Sequence, residues 1–316
     1  MITKNSRIYV AGHKGLVGSS VLKVLREKGF KNIFFKTSKE LDLRNQEKVF
    51  NYIKKIRPNG VIICAAKVGG IKVNNERKAD FIYDNLSIQN NIIHGSFKAG
   101  VKNLVFLGSS CIYPKFSKQP IREEYLLTGE LEPTNEFYAI AKIAGIKLCE
   151  SYNYQYRTNY KCLMPSNLFG PNDNYNSNNS HFFPAFIKKL YLGKIQKKEK
   201  ILFWGTGRPK RELTFVDDVA EACVFFLNKK TKDVLINIGS GFELSIKQYA
   251  DYVARIIGYK SKIIFDGNKM MDGTKRKLVN CALAKRYGWK SKFSFSRGFK
   301  ITYQDFLENK KRYLGM

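Results

Sequence analysis

Two short segments carry residues that could handle a proton and a carbonyl group together. One runs from residue 108 to 114 and reads Gly-Ser-Ser-Cys-Ile-Tyr-Pro, and the other contains Tyr138 and Lys142. A tyrosine and a lysine four residues apart lie on one face of a helix. The lysine ammonium favours the phenolate, so the pattern predicts a tyrosine pKa lowered from about 10 towards that of an acid-base catalyst. Ser109 lies just after an apolar run, 104–107, and its hydroxyl could share a carbonyl oxygen with the tyrosine.

A glycine-rich loop near the N-terminus is typical of a dinucleotide-binding turn. Residues 7–11 show a buried-strand pattern, Gly12, Gly15 and Gly18 follow, and an apolar-periodic helix comes next. Glycines in such a turn let the backbone approach a pyrophosphate, which the helix N-terminus then faces. A plain glycine turn is the alternative for an isolated match, but the strand before and the helix after it favour a nucleotide site. This context also strengthens the tyrosine–lysine pair, whose spacing alone is common on solvated helix faces.

The residues after the second predicted strand, 33–35, indicate which dinucleotide is bound. An NAD site needs a carboxylate at this strand end to bind the ribose 2′-hydroxyl. The stretch from Lys36 to Lys39 carries no acid, and the first carboxylate is that of Glu40. Lysines and hydroxyls suit a 2′-phosphate, so the sequence favours NADP(H). The alternative is that these are solvated loop lysines in a lysine-rich chain.

The composition is that of a folded and strongly basic protein. The 316 residues are 44% apolar and carry a formal net charge of +30. This is enough chain for two domains, or for one Rossmann domain with an elaborated partner. The lysines are spread along the chain, and no aromatic-basic RNA-binding motif is present, so we do not expect a nucleic-acid partner. An anionic cofactor and an anionic substrate would both benefit from the positive field.

Cysteine and hydropathy patterns set expectations for metal content and location. The six cysteines show no C-x-x-C pair and no disulfide-framework spacing, and with three histidines we expect no metal site. This cysteine usage predicts a reducing, cytoplasmic setting. The sequence has no N-terminal apolar signal and no stretch of about eighteen apolar residues, so neither export nor a membrane span is expected.

Helical patterns alternate with apolar runs through about residue 165, as a parallel sheet with crossover helices requires. We therefore expect an α/β protein with a Rossmann-type doubly wound parallel sheet and a smaller α/β C-terminal substrate domain. The expected boundaries are 1–165 for the NADP-binding domain and 166–316 for the substrate-binding domain, with a return segment near 214–235. Predicted helices cover 45–56, 81–99, 135–156 and 245–257, predicted strands cover 7–11, 33–35, 104–107 and 160–164, residues 62–67 are a strand with its turn, and 172–180 form a polar loop.

Short runs distributed over nearly the whole chain match one family. They cover residues 11–15, 66–71, 108–115, 132–136, 138–142, 164–168 and 179–181. With these runs the chain resembles the GDP-L-fucose synthase family of the extended short-chain dehydrogenase/reductase superfamily, and the Cys-Ile-Tyr-Pro and Ala-Lys-Val-Gly-Gly-Ile runs are specific to that family. The resemblance implies an NADP(H)-dependent epimerase/reductase of a GDP-4-keto-6-deoxy sugar. It also implies a homodimer that pairs through the helices expected at 81–99 and 135–156.

The resemblance further implies roles position by position. Ser109, Tyr138 and Lys142 match the reductase triad, and Cys111 and His181 match the acid/base pair of the epimerisation. The implied cofactor-binding residues are Gly12, His13, Lys14, Gly15, Leu16, Val17, Gly18, Ser38, Asp42, Leu43, Ala65, Leu107, Gly108, Lys142, Pro165, Asn167, Leu168 and His181. The implied substrate-binding residues are Lys189, Trp204, Arg211 and Asp272.

The cysteine and the histidine also suit the chemistry on their own. Inverting a carbon beside a ketone requires a proton to leave one face and another to arrive on the opposite face. A thiol and an imidazole both have pKa values accessible for such work. The alternatives are a small buried cysteine and a loop or cap histidine. Which of Cys111 and His181 is the base and which is the acid stays open at the level of the sequence.

Two departures from the family pattern leave the sugar and the cofactor preference open. Relatives often have Thr-Arg after the second strand, where this chain has Thr37 and Ser38. Relatives often read Lys-Pro-Asp-Gly-Thr-Pro-Arg-Lys near the C-terminus, where this chain has the different run 269–277. Some related branches act on GDP-4-keto-6-deoxyheptoses and only reduce them, so a C4 reductase of such a sugar is the alternative function. A non-catalytic NADP-binding protein is a second alternative, which the intact reductase triad argues against.

Overall fold

The computed structural model describes residues 2–176 and 179–315, in which strands and helices alternate through the first half of the chain. The strands are β1 (Arg7–Ala11), β2 (Asn32–Phe34), β3 (Gly60–Ile63), β4 (Asn103–Leu107), β5 (Asn159–Pro165), β6 (Asn167–Phe169), β7 (Lys200–Phe203), β8 (Lys210–Phe215), β9 (Leu235–Ile238), β10 (Glu243–Ser245), β11 (Lys262–Phe265) and β12 (Arg276–Lys277). The helices are α1 (Leu16–Glu27), α2 (Gln46–Ile56), α3 (Ile71–Glu76), α4 (Lys78–Lys98), α5 (Glu136–Tyr156), α6 (Phe182–Ile195), α7 (Val216–Asn228), α8 (Ile246–Ile257), α9 (Ala282–Arg286), α10 (Phe295–Glu308) and α11 (Lys310–Leu314).

A parallel sheet of six strands, counted in the described residues, forms the centre of the N-terminal half. Its order is β2-β1-β3-β4-β5-β9, so β1 lies between β2 and β3 and the winding reverses there. All four residues of β3 are buried, as are the last four of β1 and of β4, because helices cover both faces of the sheet. The predicted doubly wound α/β fold is confirmed, and the predicted bounds of α2, α5 and α8 agree with the structure to within one residue.

Two apolar clusters cover the two faces of this sheet. On one face α1 and α7 pack with residues such as Val21, Leu25 and Phe226, and on the other α2, α4 and α5 pack with residues such as Ile53 and Ile146. The chain therefore returns to the sheet after residue 215, because α7 covers one face and β9 is an edge strand beside β5.

The C-terminal half builds a second, aromatic core around a small sheet. In that sheet β8 pairs with β10, β12 and β6, and the helices α6, α8 and α10 cover it. Residues 167–169, which the sequence left without an assignment, form β6 because they pair in parallel with residues 213–215 of β8. Ser177 and Asn178 of the predicted polar loop 172–180 lie outside the described residues.

Two adjacent acids at the start of α7 anchor this helix, one to α1 and the other to the segment before α10. The Asp217 carboxylate accepts a hydrogen bond from the Ser20 hydroxyl at 2.6 Å and pairs with the Lys23 ammonium at 2.8 Å, both on α1. The buried Asp218 carboxylate accepts bonds from the Ser291 hydroxyl and from two backbone N–H groups, those of Lys292 and Phe293. The first acid thus fixes α7 against α1, and the second fixes the segment that leads into α10.

Candidate active site

Ser109 and Tyr138 meet at the carboxyl end of β4. Ser109 precedes a short 3-10 turn, and its hydroxyl oxygen accepts a hydrogen bond from the Cys111 backbone N–H at 3.3 Å. Tyr138 lies in the first turn of α5, with its phenol near enough to the Ser109 side chain to interact with it. Burial, followed by the nearby Cys111 sulfur, raises the pKa of Tyr138 above its usual range, and the interaction with Ser109 opposes this only in part. The phenol is therefore held in its protonated form.

Lys142 lies one helical turn beyond Tyr138 and is almost wholly buried. Its ammonium donates to the Leu107 carbonyl oxygen at 2.9 Å and lies 4.5 Å from the centre of the Phe106 ring and 5.9 Å from that of Tyr138. Burial lowers the pKa of Lys142 to about 8. The predicted side-by-side placement is confirmed, but the predicted lowering of the tyrosine pKa is wrong. Desolvation raises the pKa of the phenol, and it outweighs the Lys142 ammonium, which lies 5.9 Å from the ring centre and donates to the Leu107 carbonyl.

Cys111 lies in the 3-10 turn directly after Ser109, and two nitrogens point at its sulfur. The Asn135 side-chain amide donates to Sγ at 3.3 Å, and the Lys277 ammonium donates to Sγ at 3.5 Å. Asn135 precedes α5, whereas Lys277 ends β12 and is brought in by the pairing of β12 with β8. The cysteine of the predicted acid/base pair therefore shares its turn with the serine of the predicted triad.

His181 directly precedes α6 and enters the same charged environment from another segment. Its side chain is open to the cleft and makes no capping hydrogen bond to the helix. Desolvation by the surrounding protein, and then the positive charge of Lys277, lower the pKa of His181 below its usual range. Lys277 therefore lies near both Cys111 and His181.

The loop that carries His181 rests on a glycine. The Gly70 backbone N–H donates to the Asn179 carbonyl at 3.3 Å, and a Cβ at residue 70 would lie 2.9 Å from the Ser180 carbonyl oxygen. The Asn74 side chain holds the glycine in place by donating to the Gly69 and Gly70 carbonyls at 2.6 and 3.0 Å. A side chain at residue 70 would therefore push away the segment that leads into His181.

The turn between β1 and α1 has the shape that a dinucleotide pyrophosphate requires. A Cβ at Gly12, whose φ is +86°, would lie 2.6 Å from the Ala65 nitrogen, and a Cβ at Gly18 would lie 2.1 Å from the Gly12 carbonyl oxygen. The turn closes with a Gly15 N–H bond to the Gly12 carbonyl at 3.1 Å, and α1 begins at Leu16. Backbone N–H groups at the start of a helix favour an anion, so this turn fits the pyrophosphate of a dinucleotide.

The other predicted cofactor residues converge on the same edge of the sheet. Ala65, Leu107, Gly108 and Pro165 end or follow the neighbouring strands β3, β4 and β5, while Asn167 and Leu168 begin β6. A Cβ at Gly108 would lie 2.1 Å from the end of the Met164 side chain, which would have to move aside. Crevices outside the carboxyl ends of parallel strands are where such sheets bind nucleotides.

The charged residues after β2 are partly engaged with each other. The Glu40 carboxylate accepts from the Lys36 ammonium at 2.9 Å and from the Thr37 N–H and hydroxyl at 2.8 Å. These bonds, led by that of the Thr37 N–H, lower the pKa of Glu40 to about 2. Asp42 is likewise paired with Arg44 at 2.9 Å. Glu40 therefore neutralises Lys36. Ser38 and Lys39, in the same segment, are exposed.

The predicted substrate residues form two small groups in the C-terminal half. The Lys189 ammonium lies 5.4 Å from the ring centre of Trp204, whose side chain is 52% exposed. The buried Arg211 guanidinium donates to the Asp272 carbonyl at 2.8 Å. The Asp272 carboxylate itself accepts from the Thr206 N–H and hydroxyl at 2.8 and 2.7 Å, so it fixes the loop beyond β7.

Comparison with known proteins identifies the family to which this site belongs. The model of the NAD dependent epimerase/dehydratase family matches residues 8–239. The chain belongs to this family. It is 48% identical over 309 residues to GDP-L-fucose synthase 1 of Arabidopsis thaliana, covering 98% of this chain and 95% of that one. It is 44% identical over 318 residues to GDP-L-fucose synthase of Escherichia coli strain K12, covering 98% and 99%.

Solved structures of this family include close structural matches to the whole chain. A GDP-mannoheptose C4 reductase from Campylobacter jejuni with NADP bound is 37% identical, with a TM-score of 0.88 over 97% of this chain and 100% of that one. The resemblance predicted from the sequence is confirmed.

Three residues of this epimerase/dehydratase site were missed by sequence reasoning: Asn135, Lys277 and Gly70. Asn135 and Gly70 lie in runs that carried the family resemblance, but neither position predicts a contact to Cys111 or to the His181 loop. Lys277 is one of several lysines in its run, and only the pairing of β12 with β8 shows that it faces Cys111.

Metal and membrane features give no further site. Within residues 2–176 and 179–315, no group of three or more histidine, cysteine, aspartate or glutamate side chains could hold a metal ion. No helix in the described part of the chain has the length and apolar character needed to cross a bilayer.

Proposed function

We propose that this protein uses NADPH to convert GDP-4-keto-6-deoxy-D-mannose to GDP-L-fucose, by epimerisation at C3 and C5 and then reduction at C4. The observation that carries the proposal is the common cleft of Ser109, Tyr138, Lys142 and Cys111, with His181 facing it. The high identity to GDP-L-fucose synthases over nearly the full chain supports the same substrate. The two reactions share one ketone, because that carbonyl both acidifies the neighbouring carbons and accepts the hydride.

Epimerisation uses the hydroxyl pair and the acid/base pair together. Ser109 and Tyr138 donate to the C4 ketone oxygen and stabilise the enolate that forms when a neighbouring carbon loses its proton. Cys111 and His181 exchange protons with C3 and C5 from opposite faces. One pair can serve both carbons because C3 and C5 flank the same carbonyl group, so each is activated in the same way.

Reduction uses the buried triad. NADPH, when bound, would supply the hydride that reduces C4. Tyr138 then gives its proton to the C4 oxygen, a strong base for which a phenol held protonated by burial is a competent acid. Lys142, anchored on the Leu107 carbonyl, places a positive charge beneath the tyrosine ring and stabilises the phenolate left behind.

The cofactor is held by the β1–α1 turn and by the segment after β2. We expect residues 12–18 to bind the pyrophosphate, with Ala65, Leu107, Gly108, Pro165, Asn167 and Leu168 along the nicotinamide half and Asp42 and Leu43 flanking the adenine. The solved GDP-mannoheptose C4 reductase with NADP bound supports this cofactor. Ser38 stands where relatives often have an arginine, so the bidentate contact of a guanidinium with the 2′-phosphate is lost. Lys36 is also paired with Glu40, so we expect only a modest preference for NADPH over NADH. A ratio of kcat/KM values that favours NADH would contradict it.

The remaining assignments concern the substrate and the assembly. Lys189, Trp204 and Arg211 bind the GDP moiety, with Asp272 shaping the loop around it. Residues 1–165 and the return segment near 214–235 form the NADP-binding domain, and the rest of 166–316 forms the GDP-sugar-binding domain. The protein is a cytoplasmic homodimer that pairs through α4 and α5, as sedimentation of the purified protein would test.

The deciding experiment follows NADPH oxidation with GDP-4-keto-6-deoxymannose in deuterated water, with the product identified by NMR. GDP-L-fucose with deuterium at C3 and C5 is the expected product. A heptose C4 reductase is the second candidate, supported by the GDP-mannoheptose C4 reductase that superposes on nearly the whole chain. Reduction without deuterium incorporation, or turnover only with a GDP-keto-heptose, would favour that candidate.

A further inference from the structure

The Cys111 sulfur accepts two hydrogen bonds, one from the Lys277 ammonium and one from the Asn135 amide. The Lys277 ammonium has three protons and no lone pair, so its contact with Sγ at 3.5 Å places a positive donor against the sulfur. The Asn135 amide nitrogen adds a second donor at 3.3 Å. A thiol is a weak acceptor, whereas a thiolate accepts strongly and is the form that removes protons. The donor set therefore matches an ionised sulfur.

Asn135 gives up other bonds to make this contact. An asparagine at the N-cap of a helix usually accepts from a backbone N–H of the first turn. Asn135 precedes α5 but makes no such bond, and its Oδ1 atom is buried without a hydrogen-bond partner among the described residues. The Asn135 side chain therefore neither caps α5 nor satisfies its own Oδ1 atom, and its amide nitrogen donates to Sγ. We infer that the contact with the cysteine, and not helix capping, sets its orientation.

No carboxylate among the described residues competes with the Cys111 sulfur for the Lys277 ammonium. Its neighbour Arg276 pairs with Glu243 at 2.6 Å, but no carboxylate of the described residues forms an ion pair with Lys277. Arg211 on β8 and Tyr138 on α5 are charged or titratable groups that also lie near Cys111, and Glu132 lies near Arg211. Two cations, Lys277 and Arg211, therefore lie near the sulfur.

We propose that Lys277, assisted by Asn135, is a positioning residue that keeps the Cys111 sulfur ionised and oriented for proton removal. The role in epimerisation rests on the proposed function, whereas the ionisation of the sulfur does not. Lys277 also lies near His181, whose pKa is lowered first by burial and then by the charge of this lysine. Lys277 thus lies near both members of the proposed acid/base pair.

Alkylation of the sulfur tests the inference without any substrate. The rate of Cys111 alkylation by iodoacetamide, measured by mass spectrometry between about pH 6 and pH 9, reports the ionised fraction of the sulfur. Lys277→Met is expected to slow the reaction about tenfold at neutral pH and to move its half-maximal point to higher pH. Lys277→Arg restores most of the rate, because it restores the charge. Lys275→Met, which removes an exposed lysine of the same segment, leaves the rate unchanged, and Cys111→Ser gives the background from the other cysteines.

An unchanged alkylation profile in Lys277→Met would overturn the inference. Thermal denaturation and NADPH binding verify that each variant is folded. If Lys277→Met does not fold, Asn135→Ala provides the same readout, with an expected slowing of about threefold, and an unchanged rate there would overturn the inference equally.

Deuterium incorporation at C3 and C5 then separates the inference from the proposed function. Slower alkylation together with a similar loss of deuterium incorporation, while NADPH oxidation continues, supports both. Slower alkylation with undiminished incorporation supports the ionised sulfur and overturns the use of Cys111 in epimerisation.

Discussion

The reductase and epimerase sides of the cleft are built in different ways. Ser109, Tyr138 and Lys142 come from the end of β4 and the first turns of α5, which pack directly against the sheet. Cys111, His181 and Lys277 come from a 3-10 turn, from a loop before α6 and from a two-residue strand, and the first and the last are 166 positions apart in the chain. The first group is fixed by the core of one half, and the second by contacts between loops of both halves.

This difference indicates how far each side can change independently. Lys142 is 2% exposed and its ammonium bonds to backbone, so the reductase side has few ways to rearrange. His181 is open to the cleft and depends on the Gly70 contact and on Lys277. We therefore expect substitutions on the epimerase side to alter epimerisation while reduction continues, whereas loss of a triad residue slows overall turnover strongly.

The largest expected effect is that of Tyr138→Phe. This change removes the proton donor to the C4 oxygen and leaves the cofactor turn intact. Turnover with the keto-sugar should fall by about two to four orders of magnitude, as for loss of a positioned general acid. NADPH affinity, measured by fluorescence titration, should stay near that of the unaltered protein and serves as the control. Near-normal turnover would remove Tyr138 from the mechanism.

Cys111→Ser should separate the two activities. A serine hydroxyl does not ionise at neutral pH, so deuterium exchange at C3 and C5 should drop by about two orders of magnitude or more. Reduction should persist in part because the triad is untouched, and the product should be an unepimerised GDP-6-deoxy sugar visible by NMR. If exchange and reduction instead fall by equal factors, the two sides are not independent and the comparison fails.

Gly70→Ala should move the His181 loop without touching a proton-transfer group. The added methyl group would lie 2.9 Å from the Ser180 carbonyl, so the loop must shift. A displacement approaching about 1 Å would reduce exchange by about tenfold to a hundredfold while reduction changes little. Gly129→Ala is a matched control, since a Cβ there would meet only the Pro114 side chain, at 3.4 Å. Equal loss of both activities would show that Gly70 supports the whole cleft.

The smallest expected effect concerns the pH dependence of reduction. Burial lowers the pKa of Lys142 to about 8, so its ammonium is present below that pH and is lost as the pH rises through it. The rate of hydride transfer, followed in single turnovers, should fall by about tenfold or less between pH 7 and pH 9.5. Lys142→Arg should abolish this descending limb because a guanidinium stays charged. A rate that is flat to pH 10 in the unaltered protein would show that the charge on Lys142 is not required.

The sequence alone determined the elements that depend on local pattern. Apolar runs predicted the buried strands, the spacing of Gly12, Gly15 and Gly18 predicted the turn before α1, and the four-residue spacing predicted that Tyr138 and Lys142 share a helix face. These features follow from periodicity and from backbone conformation, which act between near neighbours in the chain.

Tertiary structure decided the features that depend on burial and on distant segments. No sequence pattern predicts that Lys277 reaches the Cys111 sulfur, that Gly70 supports the His181 loop, or that Glu40 engages Lys36. The tyrosine pKa was predicted with the wrong sign, because the sequence shows which charge is near but not how much water the fold excludes. Desolvation and contacts between remote strands exist only once the chain has folded, so the balance of acid and base in this cleft is a property of the tertiary structure.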